Sequence, residues 1–164
     1  MSSVATGRAA LAAKIVVDTS VLIKWIKTRD EDLVDEARRL LDTIEKTRLE
    51  VAVPALLLYE VGNILLMKSR LSPEELVRAI DDLSAFPLVV ADPLPDLLRR
   101  TARLGRELKL TFYDASFLAL AEELDCNFVT ADRKLYENTR RLPRVRHLSD
   151  PLHITEPDRG VTGA

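Results

Sequence analysis

Four acidic residues stand where the carboxylates of a folded chain could meet, namely Asp18, Glu60, Asp114 and Asp132. Asp18 follows the apolar run Lys-Ile-Val-Val, and Asp132 lies two residues beyond Phe-Val-Thr. Gathered in one cleft without a cation, such carboxylates would repel one another and their pKa values would rise. Divalent cations are the simplest neutraliser, and an all-oxygen ligand set suits Mg²⁺ or Mn²⁺ rather than zinc. The pattern therefore predicts a carboxylate metal centre.

Each of the three aspartates also has a simpler interpretation, as part of a helix cap. Asp18 could cap a short helix that follows it, and Asp132 could cap a turn that begins at Arg133. Thr111 and Asp114 have the spacing of a capping box. Taken singly, each aspartate fits capping at least as well as chemistry, so the functional interpretation depends on the four acids together.

Glu60 is harder to assign to a structural role. It lies within Ala-Leu-Leu-Leu-Tyr-Glu-Val-Gly-Asn-Ile, with Leu56, Leu57 and Ile64 at neighbouring helical positions. A buried carboxylate needs a partner or a metal ion, because burial of an unpaired charge is costly. Asn63, one helical turn on, could bind the same ligand or orient the carboxylate. The alternative is that Glu60 lies on an exposed edge of its helix.

Short β-branched segments alternate with helical periodicity along the chain. The predicted strands are Lys14–Val17, Leu49–Val53, Leu88–Ala91, Asn127–Thr130 and Val145–Leu148. The predicted helices are Asp32–Thr47, Ala55–Ser69, Pro73–Phe86, Leu94–Leu108 and Phe112–Leu124. This alternation predicts a three-layer α/β/α fold with a central, mostly parallel five-stranded sheet and a helical arm between strands 2 and 3. Such sheets bind ligands beyond the carboxyl ends of their strands, which is where Asp18 and Asp132 are expected.

Length and composition predict one domain in a reducing compartment. With 164 residues, 47% of them hydrophobic, we expect a domain at 14–150 and flexible termini at 1–13 and 151–164. No apolar run approaches the roughly 20 residues that span a bilayer, and the apolar stretch at the N-terminus is too short for a signal peptide, so we expect a cytoplasmic protein.

Cys126 is the single cysteine and is expected in the core, while His147 and His153 are isolated. The net charge of -2 means that nucleic acid could bind only through local patches.

Four short motifs, in this order and spacing, resemble those of the PIN-domain family, and specifically its VapC-type toxin ribonucleases. The motifs are Ile-Val-Val-Asp18-Thr-Ser, Pro54-Ala-Leu-Leu-Leu-Tyr-Glu60-Val-Gly-Asn63, Thr111-Phe-Tyr-Asp114-Ala-Ser-Phe and Phe-Val-Thr130-Ala-Asp132-Arg-Lys-Leu. The resemblance extends over about residues 14 to 150. It implies that the four acids bind one or two Mg²⁺ or Mn²⁺ ions, and that metal-activated water hydrolyses RNA phosphodiester bonds.

The resemblance also implies roles for single residues and for partners. Asp18, Glu60 and Asp114 would hold the principal ion, and Asp132 would complete a second position or bind through water. Thr130 is expected to orient the site, and Ser20 matches the asparagine or serine that follows the first acid in relatives. A homodimer is implied, together with an RNA substrate and a VapB-like antitoxin whose C-terminal segment blocks the acids.

Contacts with RNA are predicted for Arg133 and Lys134, which open a segment with six basic residues and one acid. Four arginines between positions 99 and 106 recur along one predicted helix. Asp96 and Glu107 are spaced to pair with those arginines, which favours a solvated, salt-bridged surface. Trp25, just after the first motif, either offers apolar surface to a partner or packs in the core.

Alternatives to a toxin ribonuclease make different demands on the sequence. A non-catalytic RNA- or protein-binding scaffold with the same fold predicts that the acids bind no metal. An RNA-processing or DNA nuclease outside a toxin–antitoxin pair is also compatible with the motifs, although flap-endonuclease-type chains are longer. A haloacid-dehalogenase-like phosphatase would need an aspartate at position 20, where this chain has Ser20.

Overall fold

The computed structural model describes residues 13–27, 31–68 and 70–151, which form five strands and seven helices. The strands are β1 (Lys14–Val17), β2 (Glu50–Pro54), β3 (Leu88–Ala91), β4 (Asn127–Thr130) and β5 (Val145–His147). The helices are α1 (Thr19–Ile26), α2 (Val34–Thr47), α3 (Leu56–Lys68), α4 (Pro73–Ala85), α5 (Pro95–Leu108), α6 (Phe112–Glu123) and α7 (Arg133–Thr139). The two expected flexible termini and His153 lie almost wholly or wholly outside the described residues.

The five strands form one sheet in the order β3-β2-β1-β4-β5, and every neighbouring pair is parallel. The predicted α/β architecture is therefore confirmed, and the sheet is wholly rather than mostly parallel. The pairing of β1 with β4 sets Val17 opposite Val129. As a result, the residues that follow these two strands meet at the same edge of the sheet, although more than a hundred positions separate them in sequence.

The interiors of the central strands are apolar because both faces of the sheet are covered. Val16, Val17, Phe128 and Val129 are fully buried. Helix α6 contacts β1, β2 and β4, and α5 packs on α6. The edge strand β3 differs, because only one of its sides is paired and its central valines are exposed.

The predicted helical arm between strands 2 and 3 consists of α3 and α4, which contact each other and α1. Its second helix begins at a capping box, in which the Ser72 hydroxyl accepts from the Glu75 amide and the Glu75 carboxylate accepts from the Ser72 amide. Pro73 takes the first helical position, where its missing N–H costs nothing. The sequence signal for this helix start is therefore local and complete.

Trp25 is partly buried and packs against the core. Its indole Nε1 donates to the Ala37 carbonyl at 2.8 Å, and its ring stacks on Phe86 with centroids 5.2 Å apart. One residue earlier, the buried ammonium of Lys24 donates to Asp32 at 2.7 Å. These contacts fix α1, and with it the turn that carries Asp18, against α2 and the end of the arm. None of the helices in the described part of the chain combines the length and apolar character of a membrane span.

Candidate metal centre

Asp18 is the most buried of the four predicted acids, with 5% of its surface exposed. It follows β1 and is the N-cap of α1, where its Oδ1 accepts from the Val21 amide at 3.2 Å. The Ser20 hydroxyl donates to Oδ1 at 2.5 Å, and the Thr130 hydroxyl donates to Oδ2 at 2.5 Å. Burial raises the pKa of Asp18 from 3.8 to about 6 despite these donors, and the charge of Asp132 adds to the rise.

Ser20 and Thr130 connect the ends of β1 and β4 through Asp18. The Ser20 Oγ also accepts from the Ala131 amide at 2.8 Å, and the Thr130 Oγ1 accepts from the Asp132 amide at 2.9 Å. Each hydroxyl thus donates to the carboxylate and accepts from the backbone of the turn after β4. Two of the three residues that were predicted to support the site, Ser20 and Thr130, therefore hold the Asp18 carboxylate in place.

Asp132 begins α7 and accepts from the Leu135 amide at 2.9 Å, as a helix N-cap does. Its side chain is exposed, unlike that of Asp18. The capping alternative and the functional one are therefore not exclusive for these two residues. Asp132 caps its helix with Oδ1, and among the described contacts no hydrogen bond reaches its Oδ2, which is therefore available to a ligand.

Glu60 lies half-buried on α3, with its Oε2 accepting a short hydrogen bond from the Thr19 hydroxyl. Burial raises the pKa of Glu60, the Thr19 bond opposes the rise, and the charge of Asp114 adds to it. The exposed-edge alternative for Glu60 is thus wrong. Thr19 was not predicted as a site residue, because its partner is 41 positions away and only the packing of α1 against α3 joins them.

Asp114 lies in the first turn of α6, whose N-cap is Thr111. The Thr111 Oγ1 accepts from the Asp114 amide at 3.0 Å and donates to the Asp114 Oδ2 at 2.9 Å. The predicted capping spacing is therefore used, with the aspartate bonded to the threonine hydroxyl rather than to its backbone.

Two of the acids have a raised pKa, mainly because of burial, and each has a second acid near enough to add to the rise. Asp132 acts in this way on Asp18, and Asp114 on Glu60, which gives two pairs. Asp18 and Thr19, adjacent in sequence, join the two pairs. The four side chains offer only oxygen atoms as metal ligands, and their excess negative charge suits a hard divalent cation. In the part of the chain that the structure describes, no three acidic, histidine or cysteine side chains are grouped closely enough to hold one ion. The donor chemistry thus fits Mg²⁺ or Mn²⁺, while the carboxylates are engaged by the hydroxyls and amides of the protein itself.

Three other predicted residues lie outside these hydrogen bonds. Asn63 is exposed on α3, and no hydrogen bond to Glu60 is present among the described contacts. Arg133 and Lys134 are exposed in the first turn of α7, directly after Asp132. Of the residues expected to be structural, Cys126 is buried with a free thiol.

The arginine helix α5 is partly salt-bridged, as its spacing predicted. Arg99 pairs with Asp96 at 2.6 Å, and Arg100 pairs with Glu122 of α6 at 3.7 Å. The first pair is the local one that the sequence indicated. The second joins two packed helices and could not be predicted from spacing.

Comparison with known proteins agrees with this fold. The PIN domain family model matches residues 15–141. Exonuclease VapC9 of Pyrobaculum aerophilum is 35% identical over 99 residues, which cover 58% of this chain and 71% of that protein. The crystal structure of PAE2754 from Pyrobaculum aerophilum is similar with a TM-score of 0.61 and 26% identity, over 85% of this chain and 93% of that one.

Two further solved structures share the fold at 20% identity. Mycobacterium tuberculosis VapC20, described as a sarcin-ricin loop cleaving toxin, matches with a TM-score of 0.59 over 75% of this chain and 93% of that one. A toxin–antitoxin complex from Klebsiella pneumoniae matches with a TM-score of 0.63 over 84% of this chain and 99% of that one. With the family model spanning residues 15–141, well over half of its length, the chain belongs to the PIN domain family.

Proposed function

We propose that this chain is a divalent-metal-dependent endoribonuclease and the toxin of a toxin–antitoxin pair. The observation that carries the proposal is the buried Asp18 carboxylate, which the Ser20 and Thr130 hydroxyls hold where the strand β1 ends. The Thr130 hydroxyl also accepts from the amide of a second acid, Asp132. Core packing does not explain a buried carboxylate at this edge of a parallel sheet, which is where such sheets bind ligands. Membership of the PIN domain family supports the assignment.

The residues of the chain would divide the work as follows. Asp18, Glu60, Asp114 and Asp132 supply carboxylate oxygens to the metal, and no protein nucleophile is needed. Ser20 and Thr130 hold Asp18 in one orientation, and Thr19 holds Glu60. A bound Mg²⁺ or Mn²⁺ would supply an acidified water and neutralise charge on the phosphodiester.

Two protein partners belong to the proposal. A VapB-like antitoxin would cover the acids and keep the enzyme inactive, as the toxin–antitoxin complexes with this fold suggest. The second partner is another copy of this chain, with which it would form a homodimer. Both can be examined by co-expressing the chain with the product of a neighbouring reading frame and weighing the purified complex by light scattering.

A circular RNA tests the type of cleavage directly, because only an endonuclease can open a strand without ends. The purified chain is incubated with labelled circular and linear forms of the same RNA pool, in Mg²⁺, Mn²⁺ or EDTA. We expect the circle to be opened in metal and not in EDTA. Shortening of the linear form alone would indicate an exonuclease, the activity in the name of the Pyrobaculum relative.

Variants assign the cleavage to the site. Asp114→Asn should abolish opening of the circle, because the amide cannot replace a carboxylate ligand. Asp82→Asn, on the exposed face of α4, is the matched control and should cleave like the original chain. Cleavage that survives Asp114→Asn would contradict the site assignment.

One observation favours a second candidate, a scaffold that binds RNA or protein without cleaving. Among the described residues the acids are not gathered into a three-ligand group. A scaffold predicts no heat of Mg²⁺ or Mn²⁺ binding in calorimetry, whereas the nuclease predicts binding that Asp18→Asn removes.

A further inference from the structure

An apolar groove of about 300 Å³ lies between the ends of β2 and β3 and the helices α3, α5 and α6. Its lining includes Pro54, Leu56, Tyr59, Leu98, Phe112 and Tyr113. Tyr59 directly precedes Glu60, and Tyr113 directly precedes Asp114, so two residues of the groove are chain neighbours of two proposed metal ligands.

Three aromatic rings in this groove are not packed by the fold. Tyr59 is 81% exposed, Phe112 48% and Tyr113 63%. Among the described residues, none of the three stacks on another ring, in contrast to Trp25 on Phe86. Single exposed aromatics are ordinary, but three around one groove at a site of chemistry mark a binding surface.

A second groove, of about 460 Å³, shares one lining residue with the first and contains two cations. Phe112 lines both grooves, and Arg106 and Lys109 line the second. Within the described part of the chain neither cation forms an ion pair, whereas Arg99 and Arg100 on the same helix do. Unpaired cations beyond an aromatic groove suit an anionic chain that carries flat rings.

We propose that the aromatic groove binds an unstacked nucleobase of single-stranded RNA next to the bond that is cut, and that Arg106 and Lys109 bind the phosphates beyond it. This inference rests on the proposed nuclease function. A base stacks on an aromatic ring only when it is free of a duplex, which explains why single strands, loops and bulges are the RNA forms that aromatic surfaces recognise. The substrate is therefore a single-stranded segment.

The same apolar face could instead bind a second copy of this chain. The unpaired cations at the end of the groove favour an RNA strand, because an apolar self-association surface has no use for them. If a second copy of this chain occupied the groove, all three aromatic side chains would lie in the dimer interface. The experiment below separates the two occupants.

RNA binding is measured by fluorescence anisotropy in an Asp114→Asn background, which prevents cleavage. The probes are a fluorescein-labelled twelve-nucleotide adenylate RNA and an abasic strand of equal length and charge. Tyr59→Ala and Tyr113→Ala should each weaken binding of the adenylate strand by roughly 5- to 100-fold. Neither should change binding of the abasic strand. Tyr59→Phe should retain binding, since stacking does not need the hydroxyl.

Arg106→Ala and Lys109→Ala should weaken both strands and reduce the salt dependence of binding, because each removes a phosphate contact. Val77→Ala, at an exposed apolar position on α4, is the control and should leave binding unchanged. Equal affinity of the tyrosine variants and the background would overturn the inference. So would a tyrosine-dependent change of oligomeric state in light scattering, which would assign the face to self-association.

Failure of the proposed function gives a different result from failure of the groove assignment. If the original chain opens no RNA and the Asp114→Asn variant binds none, both the nuclease proposal and the groove assignment are wrong. If the original chain and the tyrosine variants open circular RNA with equal rates, the nuclease stands and only the groove assignment is lost.

Discussion

Thr130 donates a hydrogen bond of 2.5 Å to the Oδ2 of Asp18, although the two residues are 112 positions apart in sequence. The bond exists because β1 and β4 are neighbours in the sheet. It holds the most buried acid of the site, and the same hydroxyl accepts from the Asp132 amide. One side chain therefore orients members of the first acidic pair.

Replacing Thr130 by valine should test this relationship, because valine keeps the shape and removes the hydroxyl. The Asp132 amide and the Asp18 carboxylate each lose a partner, so we expect about 1–3 kcal/mol less stability in urea unfolding. RNA cleavage should fall as well. Thr130→Ser should keep both properties near their original values, and a serine variant as impaired as the valine variant would contradict the role of the hydroxyl.

Thr19 should matter through Glu60. Thr19→Val removes the donor to Glu60, and loss of a group that orients a metal ligand typically lowers metal affinity about 10- to 100-fold. Titration with Mn²⁺ by calorimetry measures the change without requiring activity. Thr43→Val, which removes a hydroxyl bonded only to the Arg39 carbonyl on α2, is the control. Equal Mn²⁺ affinity in the two variants would show that Thr19 is not needed to orient Glu60.

Stability without metal should fall as the pH rises from about 4 to about 6. Burial raises the pKa of Asp18 from 3.8 to about 6, so in this window the folded chain binds more protons than the unfolded chain. The loss should reach about 3 kcal/mol at most by pH 7. Urea unfolding at several pH values in EDTA measures it.

Two additions sharpen the pH experiment. In Asp18→Asn this decline should shrink to the part that the raised pKa of Glu60 contributes, whereas Asp82→Asn should keep it in full. Mg²⁺ added at neutral pH should restore stability to the original chain, because an ion that binds only the folded state shifts the equilibrium towards it. Parallel pH curves for the original chain and Asp18→Asn would contradict the proposed burial cost.

Trp25→Ala should destabilise the whole domain rather than the site alone. The change removes the stack on Phe86 and the hydrogen bond to the Ala37 carbonyl, and loss of a large packed ring costs about 3 kcal/mol. Denaturant unfolding measures the cost. Trp25→Phe, which keeps a ring, should lose clearly less. An undiminished midpoint for the alanine variant would show that α1 does not depend on this contact.

Local patterns were sufficient for most of the secondary structure. The strands Lys14–Val17, Leu88–Ala91 and Asn127–Thr130 have the predicted limits, since each contains a short apolar run that ends next to turn or cap residues. The start of α2 was placed two residues early, at Asp32 instead of Val34. Leu33 precedes the helix with a left-handed backbone angle of 52°, which leucine does not signal in a sequence.

The sequence by itself determined which acids follow strands or begin helices, and with the family motifs it singled out Asp18, Glu60, Asp114 and Asp132. Tertiary structure alone decided which hydroxyl holds which carboxylate, as in Thr19 with Glu60 and Thr130 with Asp18. It also decided that Trp25 packs against the core, whereas Tyr59 and Tyr113 are exposed. The physical reason is the separation in sequence between the residues that each kind of contact joins. Periodicity and capping are set by residues a few positions apart, whereas these contacts depend on sheet order and helix packing between distant segments.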